Sequence, residues 1–273
     1  MENMKYEKIS KLNDKQFKRA LGITREMFEF QVVLIEEALE EKLKKGGRKP
    51  KLPAEDILLM MYTYYRDYTT LYKIGIYFGL HESNTYRQIK WAESILQAYI
   101  TETFDISKIN TRKELIVDVM ECPIQRPKSR EIQREYYSGK KKKHTIKVQI
   151  IIEADTKKIV YVAFDKGSIH DFNLFKNSAK ELNTIAKILA DSGYQGIQKI
   201  FKNSITPKKK SKNNPLSTDD KELNHLISSI RISIEHVNSQ LKIFKILAER
   251  YRNRIDTFIS RACFICSLYN FGL

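Results

Sequence analysis

The stretch from Leu115 to Glu121 reads LIVDVME, and it constrains this chain more than any other. It is short, apolar and rich in β-branched residues, which predicts a buried strand. Asp118 stands in its middle. A carboxylate there is costly to ionise unless something compensates its charge, and a bound cation is the commonest compensation. A lone Asp in an apolar run is also what a strand edge or a loop carries, so Asp118 gains meaning only from its companions. Two later acids qualify. Asp191 ends the apolar run 185–190 and precedes the turn-like Ser192, Gly193 and Tyr194. Glu235 lies inside a helical pattern running from about Asp219 to Leu247. Acids on a strand, a strand end and a helix can converge on one metal site.

The 273 residues suffice for two domains. Lys and Arg number 49 against 33 acids, a net charge of +16, which favours a polyanionic partner such as nucleic acid. The lysines cluster at Lys140, Lys141, Lys142 and Lys143 and again at Lys208, Lys209, Lys210 and Lys212. Three cysteines and a charged N-terminus without a signal segment point to a reducing cytoplasm. Cys263 and Cys266 have metal-ligand spacing but sit in an apolar helical run with no second pair, so core packing is the better reading. No apolar run reaches the ~20 residues of a membrane span.

Along the chain, residues 14–45 predict two helices, the first capped by Asp14 and the second by Thr24. Gly46 to Lys51 form a basic, breaker-rich linker. From Leu52 to about Ile100 the pattern is helix, turn, short helix, turn, helix, with Pro53 opening the first helix and Ser83 as the cap of the last. This is a helix-turn-helix pattern within an all-α domain of residues 1–110, and an ordinary three-helix bundle gives the same pattern. Its recognition helix would present Asn84, Thr85, Arg87, Gln88 and Lys90 to a major groove. His81 in the preceding turn is assigned no role. The second domain, residues 111–273, predicts strands at 115–120, 144–154 and 158–164 with a polar loop after the first. A helix from Asp171 to Leu182, a strand at 185–190, the helix carrying Glu235 and a closing helix from Ile255 to Leu268 follow. A meander that passes into strand–helix alternation implies an α/β mixed sheet with flanking helices.

Several pieces, taken together and in this order, are specific. Tyr137-Ser138-Gly139-Lys140-Lys141 and Asp191-Ser192-Gly193-Tyr194-Gln195-Gly196 are the strongest. Glu121-Cys122-Pro123-Ile124, His170-Asp171, and Arg231 with Glu235 and Lys242 join them. With these pieces the chain resembles the bacterial insertion-sequence transposases that carry an Asp-Asp-Glu triad, relatives of the Harbinger type. The resemblance implies an RNase H-like catalytic domain with Asp118, Asp191 and Glu235 as metal-binding catalytic triad. It implies two Mg²⁺ ions, with Mn²⁺ as a substitute, and cleavage and strand transfer on double-stranded DNA at the element's terminal repeats. A homo-oligomer on nucleoid DNA belongs to the same expectation. Where the family's signature has tyrosine, this chain has Ser228, which bears on positioning of the DNA end and not on the metal ligands.

Other residues compete for these roles. Asp171 precedes an apolar helix and is better read as its N-cap than as the second ligand. Glu121, three residues after Asp118, would face the other side of the strand, supporting the site at most. His144 and Lys147 suit either DNA-backbone contact or a solvated strand edge. On the helix carrying Glu235, the residues Ile230, Ile234, Val237, Leu241 and Phe244 share the core face. Measured from Ile234, Arg231 lies at ~60°, Lys242 at ~80° and Glu235 at ~100°, a stripe beside that face. From it Arg231 could hold the Glu235 carboxylate or a DNA phosphate, and Lys242 would reach the DNA backbone; a surface ion pair between Arg231 and Glu235 is the alternative. A catalytically inactive DNA-binding protein and a nuclease without strand transfer are the alternatives.

Overall fold

A computed structural model describes residues 5–46, 49–110, 112–182, 186–210 and 215–272. Gly47 and Arg48 of the linker, Thr111 at the expected domain start, Ile185 and Lys212 lie outside the described residues. In chain order the helices are α1 (Tyr6–Ser10), α2 (Asp14–Leu21), α3 (Arg25–Lys44), α4 (Ala54–Asp67), α5 (Leu71–Phe78), α6 (Glu82–Ile100), α7 (Arg130–Tyr136), α8 (Asp171–Ser178), α9 (Thr218–Leu241), α10 (Lys245–Ala248) and α11 (Asp256–Phe271). The strands are β1 (Glu114–Pro123), β2 (Tyr137–Ser138), β3 (Lys143–Glu153), β4 (Ile159–Lys166) and β5 (Lys187–Leu189). Contacts group them into two units: Met1–Glu102 with Lys242–Glu249 and Ile255–Leu273, and Thr103–Leu241 with Arg250–Arg254. The linear division at residue 110 thus differs from this grouping at the C-terminal end, because α10 and α11 pack with the helices.

The helical unit is built around α4. Ile57, Leu58, Met60, Met61, Tyr62 and Tyr65 are all fully buried, so this helix is covered on every side. Tyr62 donates its hydroxyl to Gln31 of α3 at 2.7 Å, which satisfies a buried phenol. From α11, Phe264 packs edge-on against Tyr65, and Arg261 pairs with Glu93 of α6 at 2.7 Å, both side chains almost fully buried. Local chemistry sets the helix ends. Thr24 caps α3 as its sequence position predicts. Asn13, not Asp14, caps α2, because the Asn13 amide and Gln16 close a reciprocal capping box. His81, not Ser83, caps α6: its Nδ1 accepts from the Ser83 backbone N–H, so Ser83 lies inside the first turn.

In the second unit β1 is central. It runs antiparallel to β3, with Asp118 opposite Ile150, and parallel to β5; β4 pairs antiparallel on the far side of β3. Order β4-β3-β1-β5 with one parallel pair is the RNase H-like arrangement. Alternation along β1 sends Leu115, Val117 and Val119 into a core with Phe175, Ile188 and Tyr194. The residues between them, Asp118 included, take the other face. The segment read as a polar loop contains α7 and β2, since Ser129 to Tyr136 fold as a short helix whose Gln133 side chain holds the Pro127 carbonyl at 2.8 Å. The long helical pattern to Leu247 also breaks: α9 stops at Leu241, and Phe244 is buried as the residue before α10.

Candidate active site

Asp118 reaches the α9 face of the sheet. Its Oδ2 accepts from Asn238 Nδ2 at 2.8 Å, and its Oδ1 lies 3.8 Å from the Arg231 guanidinium. Its side chain is 20% exposed. Burial pushes the Asp118 carboxyl up to about 6; Arg231 and the Val119 backbone oppose this, and the charges of Asp191 and Asp171 add to it. Asp191 follows β5 and turns the chain: its Oδ1 accepts from Gly193 N–H at 2.7 Å, and a Cβ on Gly193 would stand 2.9 Å from that oxygen. The glycine leaves room for the Asp191 carboxylate to fold back onto its N–H. Tyr194, buried by the same turn, has its hydroxyl pushed well above the usual range by burial and by Asp171, Asp118 and Asp191.

The third acid of this neighbourhood is Asp171. It is not the cap of α8, which is His170, whose Nδ1 accepts from Phe172 N–H at 3.4 Å. Asp171 is instead the first helical residue, and its Oδ1 takes the Lys147 ammonium at 2.7 Å. Lys147 is almost buried, so it is neither a solvated edge residue nor an exposed DNA contact; Asp171 compensates its charge. Lys140, Lys147, Asp171, Asp191, Gly193 and Lys209 line a cleft of about 400 Å³. Glu121 faces away from Asp118, as alternation requires, and accepts from the Thr145 hydroxyl at 2.9 Å.

Glu235 is exposed on α9, and no contact to Asp118 or Asp191 brings it in. Among the described residues no three His, Cys, Asp or Glu side chains stand close enough to enclose an ion. Even so, Asp118 and Asp191 offer oxygen donors of the kind hard divalent cations take. Beside them the Asn238 Oδ1 and Tyr194 hydroxyl are buried without a hydrogen-bond partner. The chemistry fits a divalent cation; the third donor is not in place. Arg231 is largely buried and stands against Asp118, not paired with Glu235. Lys242 falls just past the end of α9, in the helical unit.

In the helical unit, Asn84, Arg87 and Gln88 line one concavity, and Arg87 donates to the Asn84 side chain at 2.8 Å. Thr85 is fully buried with its hydroxyl on the His81 carbonyl at 3.2 Å, so it presents nothing to a groove. Lys140 to Lys143 are exposed at the turn entering β3, and Lys142 holds a left-handed φ of 53° there. Asn238 escaped the sequence reading, and the burial of Lys147 against Asp171 was not foreseen. Asn238 lies at ~40° on the same wheel, next to Arg231, and Lys147 is an ionisable residue in an apolar strand just as Asp118 is.

A mixed sheet with acids on its central strand and just after the parallel strand, preceded by a helical unit, defines an RNase H-like domain joined to an all-α one. Residues 117–270 match the family described as DDE superfamily endonuclease, and residues 50–100 match the helix-turn-helix of DDE superfamily endonuclease. The chain belongs to this family. It is similar to a probable transposase for insertion sequence element IS702 from Microchaete diplosiphon, 42% identical over 275 residues and 99% of both chains. It is also similar to a putative transposase for insertion sequence element IS112 from Streptomyces albus G, 26% identical over 208 residues and 75% of both chains. No solved structure matches it. Among the described residues no helix is long and apolar enough to cross a membrane.

Proposed function

We propose that the chain is the transposase of an insertion sequence, binding its element's ends through the helical unit and cutting and rejoining DNA at Asp118 and Asp191. The observation that carries this reading is the pair itself: a largely buried Asp118 on the central strand, its carboxyl raised mainly by burial, with Asp191 in the turn just after the neighbouring parallel strand β5 adding its charge. Divalent cations, two Mg²⁺ or Mn²⁺ in this reading, would supply neutralisation of the phosphate oxygens and of the departing 3′ oxygen. Asp118 and Asp191 would hold them, with Glu235 as third donor from α9. Asn238 orients the Asp118 carboxylate, and Arg231 balances its charge when no cation is bound. Lys140 and Lys209, at the rim of the cleft that contains Asp191, would draw in the phosphate backbone.

The test uses purified protein and DNA bearing the element's ends. Nicking is expected with Mg²⁺ or Mn²⁺ and absent with EDTA, and a labelled target should capture the freed 3′ ends. Asp118→Asn and Asp191→Asn should each abolish nicking and leave DNA binding intact. Nicking at wild-type rate by either variant overturns the assignment. Nicking without captured ends would identify a nuclease, and binding without nicking a protein that has lost catalysis.

A further inference from the structure

We propose that the helical unit holds a pocket for an unpaired nucleotide, at the cavity between α3, the segment 49–52 and one stripe of α6. It rests on the reading of this unit as DNA-binding, and it adds a ligand that groove reading does not use. The cavity measures about 400 Å³, within the roughly 300–1,000 Å³ of small-ligand sites. Its charge has one sign. Lys42, Lys49, Lys51 and Arg87 line it, and no acidic residue does so among those described. The wall beneath these cations is apolar, built from Leu39, Leu43, Leu80 and Trp91. Trp91 is the chain's single tryptophan and is half-buried.

This combination selects a ligand class. A phosphate alone would use the cations and leave the aromatic and leucine wall wet. A neutral apolar molecule would leave four cations unused. A nucleotide with its base unpaired satisfies both, stacking on the indole while its phosphate meets the ammonium groups. The Lys42 ammonium already lies over the Trp91 ring, 5.5 Å from its centroid, so the ring face is turned to the cavity side from which α3 approaches. Lys42 is exposed on a flexible stem and can pass from the ring to a phosphate as the base arrives. On α6, Asn84, Arg87, Gln88 and Trp91 follow at i, i+3, i+4 and i+7, one helical stripe. Asn84 and Gln88 thus supply amides at the level where base edges would lie. A base-paired duplex cannot enter such a cavity; a strand end or an extruded base can.

Full-length protein is titrated, at one fixed salt concentration, with a dye-labelled blunt duplex and with the same duplex extended by a few unpaired nucleotides. A mononucleotide, dTMP, forms the third arm. The extended duplex is expected to bind about tenfold more tightly than the blunt one and to quench Trp91 fluorescence saturably. Trp91→Leu should erase that difference while leaving blunt-duplex affinity unchanged, and Trp91→Phe should retain most of it. Lys51→Gln should reduce it. If dTMP alone saturates the quench at micromolar concentration, the source is the free nucleotide; if only the extended strand does so, it is DNA. Equal affinity for blunt and extended duplexes overturns the proposal while leaving duplex binding standing, as does a difference that survives Trp91→Leu. Failure of every DNA to bind removes the DNA-binding reading and the pocket with it.

Discussion

Asn238 Nδ2 donates to Asp118 Oδ2 at 2.8 Å, and this bond occupies the carboxylate from the helix that also carries Glu235. Arg231 and Asn238, seven residues apart, meet Asp118, while Glu235 stands ~40–60° further round α9 in solvent. Glu235 can act on a metal at Asp118 only if its side chain or the helix turns toward the sheet. Glu235→Gln is therefore expected to change thermal stability hardly at all, as an exposed substitution should, and to abolish nicking. Asn238→Ala leaves Asp118 short of a donor and is expected to cost about 1–2 kcal/mol, read from denaturant unfolding. Normal nicking by Glu235→Gln would remove Glu235 from the site and turn attention to Glu222 or Glu249.

The raised Asp118 carboxyl gives a pH dependence of defined sign. The unfolded chain ionises Asp near 3.9, whereas the folded protein holds Asp118 protonated up to about 6. Its protonated form stabilises the fold below about pH 4, and that contribution is lost as pH rises through about 6. In EDTA, wild type should lose melting temperature between pH 4 and 7 relative to Asp118→Asn, whose side chain does not titrate. Adding Mn²⁺ at pH 7 should return stability to wild type and not to the variant. Parallel melting curves for the two proteins across this range would refute the assignment.

Lysines near the acids divide by burial. Lys147 is spent on Asp171, so Lys147→Met should destabilise by about 1–3 kcal/mol, less than a fully buried pair because Asp171 is 25% exposed. It should leave the salt dependence of DNA affinity untouched. Lys140→Gln, at an exposed position on the cleft rim, should do the reverse, lowering the salt slope by about 1 with unchanged stability. Binding isotherms at several salt concentrations separate the two, and a lowered slope for Lys147→Met would contradict its burial.

The helical unit needs the end of the chain. Glu93 and Arg261 form a buried pair, and Phe264, Ile265 and Leu268 of α11 are buried with it. A fragment ending at residue 110 leaves the buried Glu93 without Arg261, with only Lys90 at 3.2 Å beside it, and exposes the apolar surface under α11. It is expected to show no cooperative melt at 25 °C, and Glu93→Ala in the whole chain should cost about 3–5 kcal/mol. A fragment that melts cooperatively near the full-length temperature would show that α11 is dispensable.

What the sequence determined by itself was everything carried by local pattern. The LIVDVME run dictated a buried strand with Asp118 on the face opposite Val117, because side chains alternate along a strand whatever it pairs with. The Asp191 turn was equally legible, since an Asp side chain before a Ser-Gly pair readily accepts from the N–H two residues on. Tertiary structure decided the rest through contacts between residues far apart in the chain. The helix caps are the local exception: Asn13 and His81, not Asp14 and Ser83, hold the first-turn N–H groups, one or two residues earlier in the chain. Lys147 suited a DNA contact or a solvated strand edge, yet Asp171, 24 residues away, holds it nearly buried inside the unit. The helical wheel found the correct stripe of α9 but not its winner: packing of Ile234, Val237 and Leu241 turns Arg231 and Asn238 toward Asp118 and leaves Glu235 outside. A rotation of some tens of degrees about a helix axis leaves no mark in residue spacing, and only the core that holds the helix decides it.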